Sequence, residues 1–383
     1  MSAKYKIAAY IYPEALRMPT GVSMLTLNMV KVLAKNPEVE LRLLASACEL
    51  EADGKLPAEI GLAGIPVIPL PWQRPIREAL WLATNSPSID RFVPKEFWIY
   101  CSMETFVPAR RCRRIITVHH LEPESPAPLL SRKGLRTRTS AWRLRKAVTT
   151  AELVVAQSTF TRDTVARKFP ASQERIQVVG SGVTEDHFDV SNNHNLDSLV
   201  TDFSPYVVVT GAMHDRKGTD YLLDLARLLA RRASPVKIVC TAGLYGNPAY
   251  ISAARALPNM VLLNLVSRQE LLAYLKKAIA LVFLSRLEGF GLPLVEAMAA
   301  GLPVIASNNT AIPETLGGAG ILVAPEKTEQ IADEIGRLQQ DQSFRKELIA
   351  KGRVRAKNFT WEACMQRLLA GITTVSQANS KSV

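Results

Sequence analysis

The sequence predicts an α/β protein with two domains, each built on a parallel sheet. Short apolar segments recur along the 383 residues, and several are separated by stretches with helical periodicity. This alternation is typical of parallel strands joined by crossover helices. The chain is long for one domain and long enough for two. Hydrophobic residues make up 48% of the chain and charged residues 21%, which indicates a folded globular protein.

Twelve apolar segments are strand candidates, and helical patterns such as Val22–Ala34 lie between several of them. Those of the first half are Ile7–Tyr12, Leu41–Ala45, Pro66–Leu70, Trp98–Ser102, Ile115–Val118, Leu153–Ala156 and Ile176–Val179. Those of the second half are Tyr206–Thr210, Val236–Cys240, Met260–Leu265, Ala280–Leu284 and Val304–Ala306. Nearly continuous apolar runs of this length are expected of strands that are covered on both faces.

The polar run of residues 190–198 is the strongest linker signal in the sequence. It predicts an N-terminal domain, a linker, a second domain and a C-terminal segment. Their predicted bounds are residues 1–190, 191–204, 205–358 and 359–383.

The sequence gives no signal for secretion or for a membrane span. No uninterrupted apolar run reaches the length of a transmembrane helix, and the first residues lack the pattern of a signal peptide. The five cysteines are scattered, with no spacing typical of a metal site. Because an odd number of dispersed cysteines suits a reducing compartment, we expect a cytoplasmic protein without a bound metal.

The basic residues are concentrated in one block. The formal net charge is +12, and residues 101–150 hold eleven Lys and Arg against three acids. Within Arg132–Lys146, seven of fifteen residues are basic and Trp142 lies among them, a pattern that could meet anionic lipid headgroups on the inner face of the membrane. A solvated helix face explains the block equally well. Nucleic acid is not an expected partner, because no nucleic-acid-binding motif accompanies the charge.

The most informative segment is residues 285–307, which holds two glutamates eight positions apart, Glu288 and Glu296. A buried strand precedes it, a glycine-rich turn follows, and a helical stretch stops at Gly301. A strand, a glycine loop and a helix N-terminus together make an anion site. The position of Glu296, about one turn into the helix, would let its carboxylate accept hydrogen bonds from a diol such as a ribose. The alternative is a buried turn with two incidental acids.

This segment resembles the E-x7-E signature of retaining glycosyltransferases of family 4, which have the GT-B architecture of two Rossmann-like domains with parallel sheets facing across a cleft. The match includes both glutamates, the residues between them and the trailing Gly-x-Pro-Val-Ile. The resemblance implies a catalytic role for Glu288 and a donor-binding role for Glu296. It implies donor contacts for the intervening residues Gly289, Phe290, Gly291 and Leu292.

The loop after the first strand lacks the G-x-G-x-x-G fingerprint of nicotinamide enzymes. It resembles instead the first loop of family 4 enzymes, which approaches the donor diphosphate, with Thr20 in place of one of two common glycines. This makes Gly21 a donor-binding candidate, although an ordinary turn glycine is the alternative.

A histidine ends the strand Ile115–Val118, at the edge where ligands of open α/β sheets bind. In the family, a histidine at this point faces the donor sugar and the acceptor, so the resemblance makes His119 a catalytic candidate. His120 stands where the family usually has aspartate.

The second domain opens with a strand, a glycine and then Arg216-Lys217-Gly218. This pattern resembles the diphosphate clamp of the family, in which two cations offset the charge that grows on the leaving nucleoside diphosphate. Basic residues oppose the dipole at a helix start, which favours a functional explanation for Arg216 and Lys217. The segment 264–271 resembles the segment of the family that meets the edge of the nucleobase, and this resemblance makes Val266 a donor-binding candidate. Residues 359–361 resemble the motif before a last helix that crosses back to the first domain.

These matches predict a retaining glycosyltransferase that moves a hexose from GDP-mannose or a UDP-sugar to a glycan or lipid-linked acceptor in cell-surface polysaccharide or glycolipid synthesis. The nucleotide-sugar is a substrate, and no cofactor is expected. Two alternatives are a GT-B nucleotide-sugar epimerase and a non-catalytic protein of the same fold that binds a membrane or a partner.

Overall fold

The computed structural model describes residues 3–17, 20–121, 132–189, 201 and 203–380. The chain forms two compact units. The first consists of residues 1–181 together with 361–383, and the second of residues 182–360.

The first unit contains a sheet of seven parallel strands in the described part of the chain. The strands are β1 (Tyr5–Tyr10), β2 (Val39–Ser46), β3 (Val67–Leu70), β4 (Trp98–Cys101), β5 (Arg113–Val118), β6 (Leu153–Ala156) and β7 (Ile176–Val178). Their order in the sheet is β3-β2-β1-β4-β5-β6-β7. The strand order therefore reverses at β1, which lies between β2 and β4.

Helices cover both faces of this sheet, so its central strands are largely buried, whereas the edge strands β3 and β7 are partly exposed. They are α1 (Pro13–Leu16), α2 (Gly21–Lys35), α3 (Arg74–Thr84), α4 (Arg132–Thr150) and α5 (Thr159–Lys168). Thr20 caps α2 by accepting a hydrogen bond from the amide of Ser23, whose hydroxyl in turn accepts from the amide of Thr20. This reciprocal capping box fixes the start of α2 at the carboxyl edge of the sheet.

The second unit contains a sheet of six parallel strands among the described residues. The strands are β8 (Tyr206–Val209), β9 (Lys237–Cys240), β10 (Met260–Leu262), β11 (Leu281–Phe283), β12 (Val304–Ser307) and β13 (Ile321–Val323). Their order is β10-β9-β8-β11-β12-β13, so the strand order reverses at β8.

The helices of the second unit pack on both faces of its sheet and complete two apolar cores. They are α6 (Thr219–Arg231), α7 (Pro248–Arg255), α8 (Arg268–Lys277), α9 (Leu292–Ala299), α10 (Ile312–Leu316), α11 (Thr328–Gln340) and α12 (Gln342–Ala356). Helix α9 begins two residues before the predicted Leu294. Gly291 precedes it in the left-handed conformation, and Pro293 suits the first turn of a helix.

The last helix, α13 (Trp361–Ser380), belongs to the first unit. Trp361, Leu368 and Ile372 are buried in the core formed by one face of the seven-stranded sheet. The guanidinium of Arg367 donates a hydrogen bond to Val179 O at 3.0 Å. These contacts place the C-terminal segment on the N-terminal sheet.

The boundaries of the two units differ from those that the sequence predicts. Residues 182–189 pack with the second unit, because the amide of Val183 donates to Phe359 O at 2.9 Å and Val183 forms a parallel bridge with Thr360. The division therefore falls after residue 181 rather than 190, and after 360 rather than 358. The polar composition of residues 190–198 gave no sign of these contacts. Most of the predicted linker, residues 190–200 and 202, lies outside the described residues.

The predicted α/β architecture is confirmed, and each of the twelve strand predictions overlaps an observed strand. The strand that the sequence did not reveal is β13. It is three residues long and follows a stretch with glycines at 317, 318 and 320, which indicates a loop rather than a strand.

In the described part of the chain, none of the helices combines the length and the apolar character that crossing a bilayer requires. Helix α4 contains the whole of the predicted basic segment Arg132–Lys146. Its exposed side chains include Arg138, Trp142 and Arg145, which recur at the spacing of one helix face. Lys146 instead turns inward, where its ammonium donates to Leu82 O at 2.8 Å.

Candidate active site

The point at which the strand order reverses positions the site of the second unit. In open α/β sheets, the carboxyl ends of the two strands at such a point diverge and leave a crevice between their loops. Here the two strands are β8 and β11. The loop after β8 carries Arg216 and Lys217, and the loop after β11 carries Glu288. Residues 71 positions apart in the sequence therefore meet at one sheet edge.

Glu288 pairs with both basic residues of the predicted clamp. The ammonium of Lys217 lies 2.7 Å from Glu288 Oε1, and Arg216 Nη1 lies 3.5 Å from the same oxygen. Arg216 Nη1 also donates to Leu287 O at 3.1 Å. Lys217 is further placed over the ring of Phe283, with 5.0 Å between Nζ and the ring centroid. The arrangement holds two positive charges and one negative charge around a single carboxylate oxygen.

The charge of Glu288 depends on these partners. Its side chain is 12% exposed, and burial alone would favour the neutral acid. Lys217 and Arg216 outweigh the burial, and they hold the pKa of Glu288 below its ordinary value. The carboxylate is therefore ionised at neutral pH, and it holds both cations in place.

The turn that carries Arg216 and Lys217 is fixed to the residues that follow β11. The amide of Arg286 donates to Arg216 O at 2.8 Å, and the Arg286 guanidinium binds Asp215 O and both carboxylate oxygens of Asp220. Gly218 ends the turn with φ of +66°, and a β-carbon there would lie 2.1 Å from Leu284 O. A glycine is thus required at 218 for the turn to approach β11 so closely.

A buried hydroxyl lies beside the cations. Thr210 follows β8, and its Oγ1 is buried with no hydrogen-bond partner among the described residues. Thr210 and Gly211 line a small cavity together with Lys217 and Phe283. Such an unpaired group is uncommon in a folded protein and is expected at sites that bind polar ligands.

The glycine loop before α9 has the predicted form. Gly291 adopts φ of +89°, where a β-carbon would lie 2.7 Å from Leu294 Cδ1. Phe290 is buried and packs edge-on against Phe359, and its carbonyl accepts a hydrogen bond from Thr315. Gly289 precedes it in the loop, and Leu292 is the first residue of α9. The loop is therefore held by packing, with its backbone close to the N-terminus of α9.

Glu296 has different surroundings from Glu288. It lies in the second turn of α9, and its Oε1 is 3.7 Å from His187 Nε2. Burial raises the pKa of Glu296 to about 7, although Arg268 opposes the shift. The two glutamates of the motif thus differ in charge state: Glu288 is ionised at neutral pH, and Glu296 titrates close to it.

The residues around Glu296 were missed by the sequence analysis. His187 and Asp186 lie in a turn of 3-10 helix over residues 185–187, and Arg268 is the first residue of α8. Arg268 forms a fork with Asp186, with two N–O distances of 2.6 Å. A cation at a helix start was the signal that identified Arg216 and Lys217, and it could also have identified Arg268. His187 lies in a polar segment and gives no such signal.

The histidine predicted in the first unit follows β5 at the carboxyl edge of the sheet. His119 Nε2 lies 2.7 Å from Ser102 O, and its amide donates to Glu104 Oε1 at 2.8 Å. Because a carbonyl oxygen only accepts, Nε2 carries the proton in this bond. In the neutral ring, the lone pair is therefore on Nδ1.

The two remaining candidates are backbone positions. Gly21 is the first residue of α2, and a β-carbon there would meet nothing within 4 Å, so the fold does not require glycine at 21. The amide of Val266 donates to Thr241 O at 3.3 Å, which leaves the carbonyl and side chain of Val266 for a nucleobase contact. In the described ranges, no three His, Cys, Asp or Glu side chains are grouped as metal ligands.

Comparison with known proteins gives a consistent result over both units. The family model for glycosyl transferases group 1 matches residues 197–355, and the model for Glycosyltransferase Family 4 matches residues 19–187. The chain is 29% identical to the O-antigen chain mannosyltransferase B of Escherichia coli, over 92% of this chain and 95% of that protein. These matches are to glycosyltransferases, and nothing in them supports the epimerase alternative.

Solved structures share the fold at low sequence identity. The chain matches Anabaena HepE in complex with UDP-glucose with a TM-score of 0.70 and 17% identity, over 96% of this chain and 99% of that one. It matches WaaG, a glycosyltransferase involved in lipopolysaccharide biosynthesis, with a TM-score of 0.71 and 15% identity, over 94% and 98% of the two chains. The predicted fold class is confirmed.

The pairing of Glu288 makes a prediction about stability. Lys217→Met should lower the free energy of unfolding of the second unit by about 1–3 kcal/mol at pH 7, because a buried carboxylate loses its closest partner. The loss should persist down to the ordinary glutamate pKa of 4.5 and shrink only below it. The lowered pKa of Glu288 means that its contribution is present at high pH and disappears as the carboxylate takes up a proton. Urea unfolding followed by far-ultraviolet circular dichroism measures the free energy of unfolding at each pH.

Lys351 provides a matched control. It pairs with Glu347 at 2.6 Å, but both side chains are more than half exposed, so Lys351→Met should cost less than about 1 kcal/mol. All five tryptophans lie in the first unit. The unfolding midpoint that their fluorescence reports should therefore be the same in both variants and the wild type. Equal losses for the two lysines would contradict the proposed importance of the buried pair.

Proposed function

Because the chain belongs to glycosyltransferase family 4, we propose that it moves a hexose from a nucleotide-sugar to a glycan or lipid-linked acceptor with retention of configuration. The observation that carries this proposal is the meeting of Arg216 and Lys217 on Glu288 at the carboxyl edge of the second sheet. Such a site suits the diphosphate of the donor, which is the group that leaves during transfer.

The charges of the clamp support a diphosphate ligand. Two cations and one carboxylate leave a net charge of +1 in the crevice of the second unit. A bound diphosphate would attract Lys217 and Arg216 from one side, while Glu288 holds them from the other. The charge that develops on the leaving group is then met by groups that are already in position, which lowers the barrier to cleavage of the anomeric bond.

We propose the remaining donor contacts for residues near α9 and for His119. The glycine loop of residues 289–291 would bring backbone amides to the donor, and Glu296 would accept hydrogen bonds from the ribose diol. His119 would act from the first unit on the donor sugar or the acceptor. We propose His119 and Glu288 as the residues closest to the chemistry, with the departing phosphate taking the proton of the acceptor.

Mannose is the donor sugar that the relatives favour. The O-antigen mannosyltransferase is similar over nearly the whole chain, and the mannosyltransferase of Mycolicibacterium hassiacum is 29% identical over 67% of it. GDP-mannose is therefore the first donor to test. HepE was solved with UDP-glucose, and UDP-sugars are the second class. An O-antigen relative also supports a role in cell-surface polysaccharide synthesis.

We further propose that the protein is cytoplasmic and docks on the inner face of the membrane. Two helices of the first unit support this. Helix α4 exposes Arg138, Trp142 and Arg145 on one face, with Trp142 48% exposed. Helix α3, which contacts α4 through Lys146, follows Trp72 and carries Ile76, and these two side chains are 50% and 53% exposed. Aromatic and aliphatic groups beside arginines suit an anionic bilayer surface.

Donor binding and transfer test the proposed activity. We expect GDP-mannose or a UDP-sugar to raise the melting temperature, because a ligand of the folded state stabilises it by mass action. Arg216→Ala and Lys217→Ala should each lower kcat/KM for the donor about ten- to a hundred-fold, since each removes a charge-assisted contact. Product formation from labelled donor and a lipid-linked or oligosaccharide acceptor measures the transfer.

Lys351→Ala serves as the control, because it removes an exposed lysine of the same unit. Wild-type rates in both clamp variants would reject the clamp. The release of an epimerised sugar without an acceptor would reject the transferase activity itself.

Liposome co-sedimentation tests the membrane proposal. At low salt the protein should bind vesicles that contain phosphatidylglycerol and should not bind pure phosphatidylcholine. Replacing both Arg138 and Arg145 with serine should weaken binding roughly thirty-fold, because each basic residue near an anionic surface contributes about 1 kcal/mol.

The double variant Arg227→Ser with Arg337→Ser removes the same charge from exposed positions of the second unit, and it should bind like the wild type. Binding that is absent at low salt, or equal in both double variants, would favour a soluble acceptor and a solvated α4.

A further inference from the structure

His187 lies between Glu296 and Arg268 in the second unit. Its Nε2 is 3.7 Å from Glu296 Oε1, and its Nδ1 is 3.2 Å from Arg268 Nη2. The ring is almost completely buried, with 2% of its side chain exposed. A buried imidazole in contact with a buried carboxylate needs an explanation, because each polar group loses its hydration there.

The contact with Arg268 decides which nitrogen carries the proton. A guanidinium only donates hydrogen bonds, so Nδ1 must accept, and the proton of the neutral ring lies on Nε2. Nε2 is the nitrogen that faces Glu296. The ring thus directs an N–H group at the carboxylate, and Arg268 fixes that tautomer.

Arg268 is itself held in place. Asp186 binds it through two N–O contacts of 2.6 Å, and the hydroxyl of Thr184 binds both Arg268 and Asp186. Two parallel contacts to a planar guanidinium restrict its orientation more than one contact would. A continuous chain of contacts therefore runs from Asp186 through Arg268 and His187 to Glu296.

The distance of 3.7 Å is longer than a hydrogen bond, so the contact in this structure is electrostatic. Hydrogen bonds at binding sites are often long in the absence of ligand and shorten in the complex. Glu296 lies on α9, whose backbone is fixed by packing in the core. The side chain of Glu296 can nevertheless adopt more than one rotamer. The N–H group of His187 favours the rotamer that faces it.

We propose that His187 is a positioning residue for the donor ribose: it orients the Glu296 carboxylate through Nε2–H, and Arg268 and Asp186 orient the ring. The inference rests on the proposed contact between Glu296 and the ribose diol. It makes the segment 182–189, which precedes residues outside the described ranges, part of the nucleotide site. His187 is not a catalytic residue, because it acts on the donor only through Glu296.

The charges around the pair give a pH signature. Asp186 of the same turn and Arg268 of α8 are the charged groups that face it. Burial and Arg268 lower the pKa of His187 to about 4, so the ring is neutral in any ordinary assay. Glu296, with its pKa raised to about 7, is then the group that titrates. Without the N–H group of His187, the carboxylate is less stabilised and should ionise at higher pH.

Ribose recognition is the direct readout. We would measure by calorimetry the affinity for GDP and UDP, and for their 2′-deoxy forms, between pH 6 and 8.5. For whichever nucleoside diphosphate binds, the 2′-deoxy form should bind about tenfold or more weakly than the ribose form. The reason is that a hydrogen bond to a charged carboxylate is lost. Glu296→Gln should bind the ribose form more weakly and discriminate less between the two sugars.

His187→Phe should behave in part like Glu296→Gln, with less discrimination and with a pH midpoint of affinity at higher pH. His187→Gln should restore most of the discrimination, since its amide can donate to Glu296 and accept from Arg268. If His187→Phe does not fold, Arg268→Lys provides a second test. It leaves His187 in place but removes the planar fork, and a several-fold loss of discrimination is expected.

The outcomes separate the two claims. If Glu296→Gln discriminates like the wild type, Glu296 does not bind the ribose and the proposed donor contact fails. If Glu296→Gln loses discrimination but His187→Phe and Arg268→Lys keep it, with unchanged pH midpoints, His187 has only a structural role and this inference is rejected.

Discussion

The second unit depends on one buried carboxylate that is shared by two cations. Glu288 follows β11, and Arg216 and Lys217 follow β8, so the pairing joins the two loops at the point where the strand order reverses. Without the cations, burial would neutralise Glu288; without Glu288, two positive charges would repel each other at the edge of the sheet. Gly218 and Arg286 serve this pairing, because they bring the turn of residues 215–218 against the exit of β11.

Helix α9, which follows the loop of Glu288, carries a second carboxylate with different electrostatic surroundings. Among the described residues no lysine pairs with Glu296, and burial raises the pKa of Glu296 to about 7. The surroundings of Glu288 carry a net positive charge, which suits phosphates. Beside Glu296 the cation Arg268 is matched by Asp186, which suits a ligand without charge such as a diol. His187 and Arg268 belong to the second part, and under the proposal they bring a segment near the unit boundary into the nucleotide site.

Much of the fold and of the candidate site could be predicted from the sequence. Buried parallel strands give short apolar runs, and the E-x7-E segment is a local motif. The strand β13 was missed because it follows a glycine-rich stretch that indicates a loop. His187 was missed for a different reason: its role arises from residues 81 and 109 positions away, and no local pattern signals such a contact. The first boundary was misplaced because polar composition indicates exposure but does not show which unit a segment contacts.

Hydrogen exchange with and without a bound nucleoside diphosphate tests the central claim most directly. Suppose that the donor binds where the strand order of the second sheet reverses. The amides of residues 210–218 and 284–296 should then exchange more slowly in the complex, because both loops contact one ligand. Helix α11, at Thr328–Gln340, should show no change and serves as the internal reference. Protection confined to other segments of the second unit, or protection of only one of the two loops, would contradict the account.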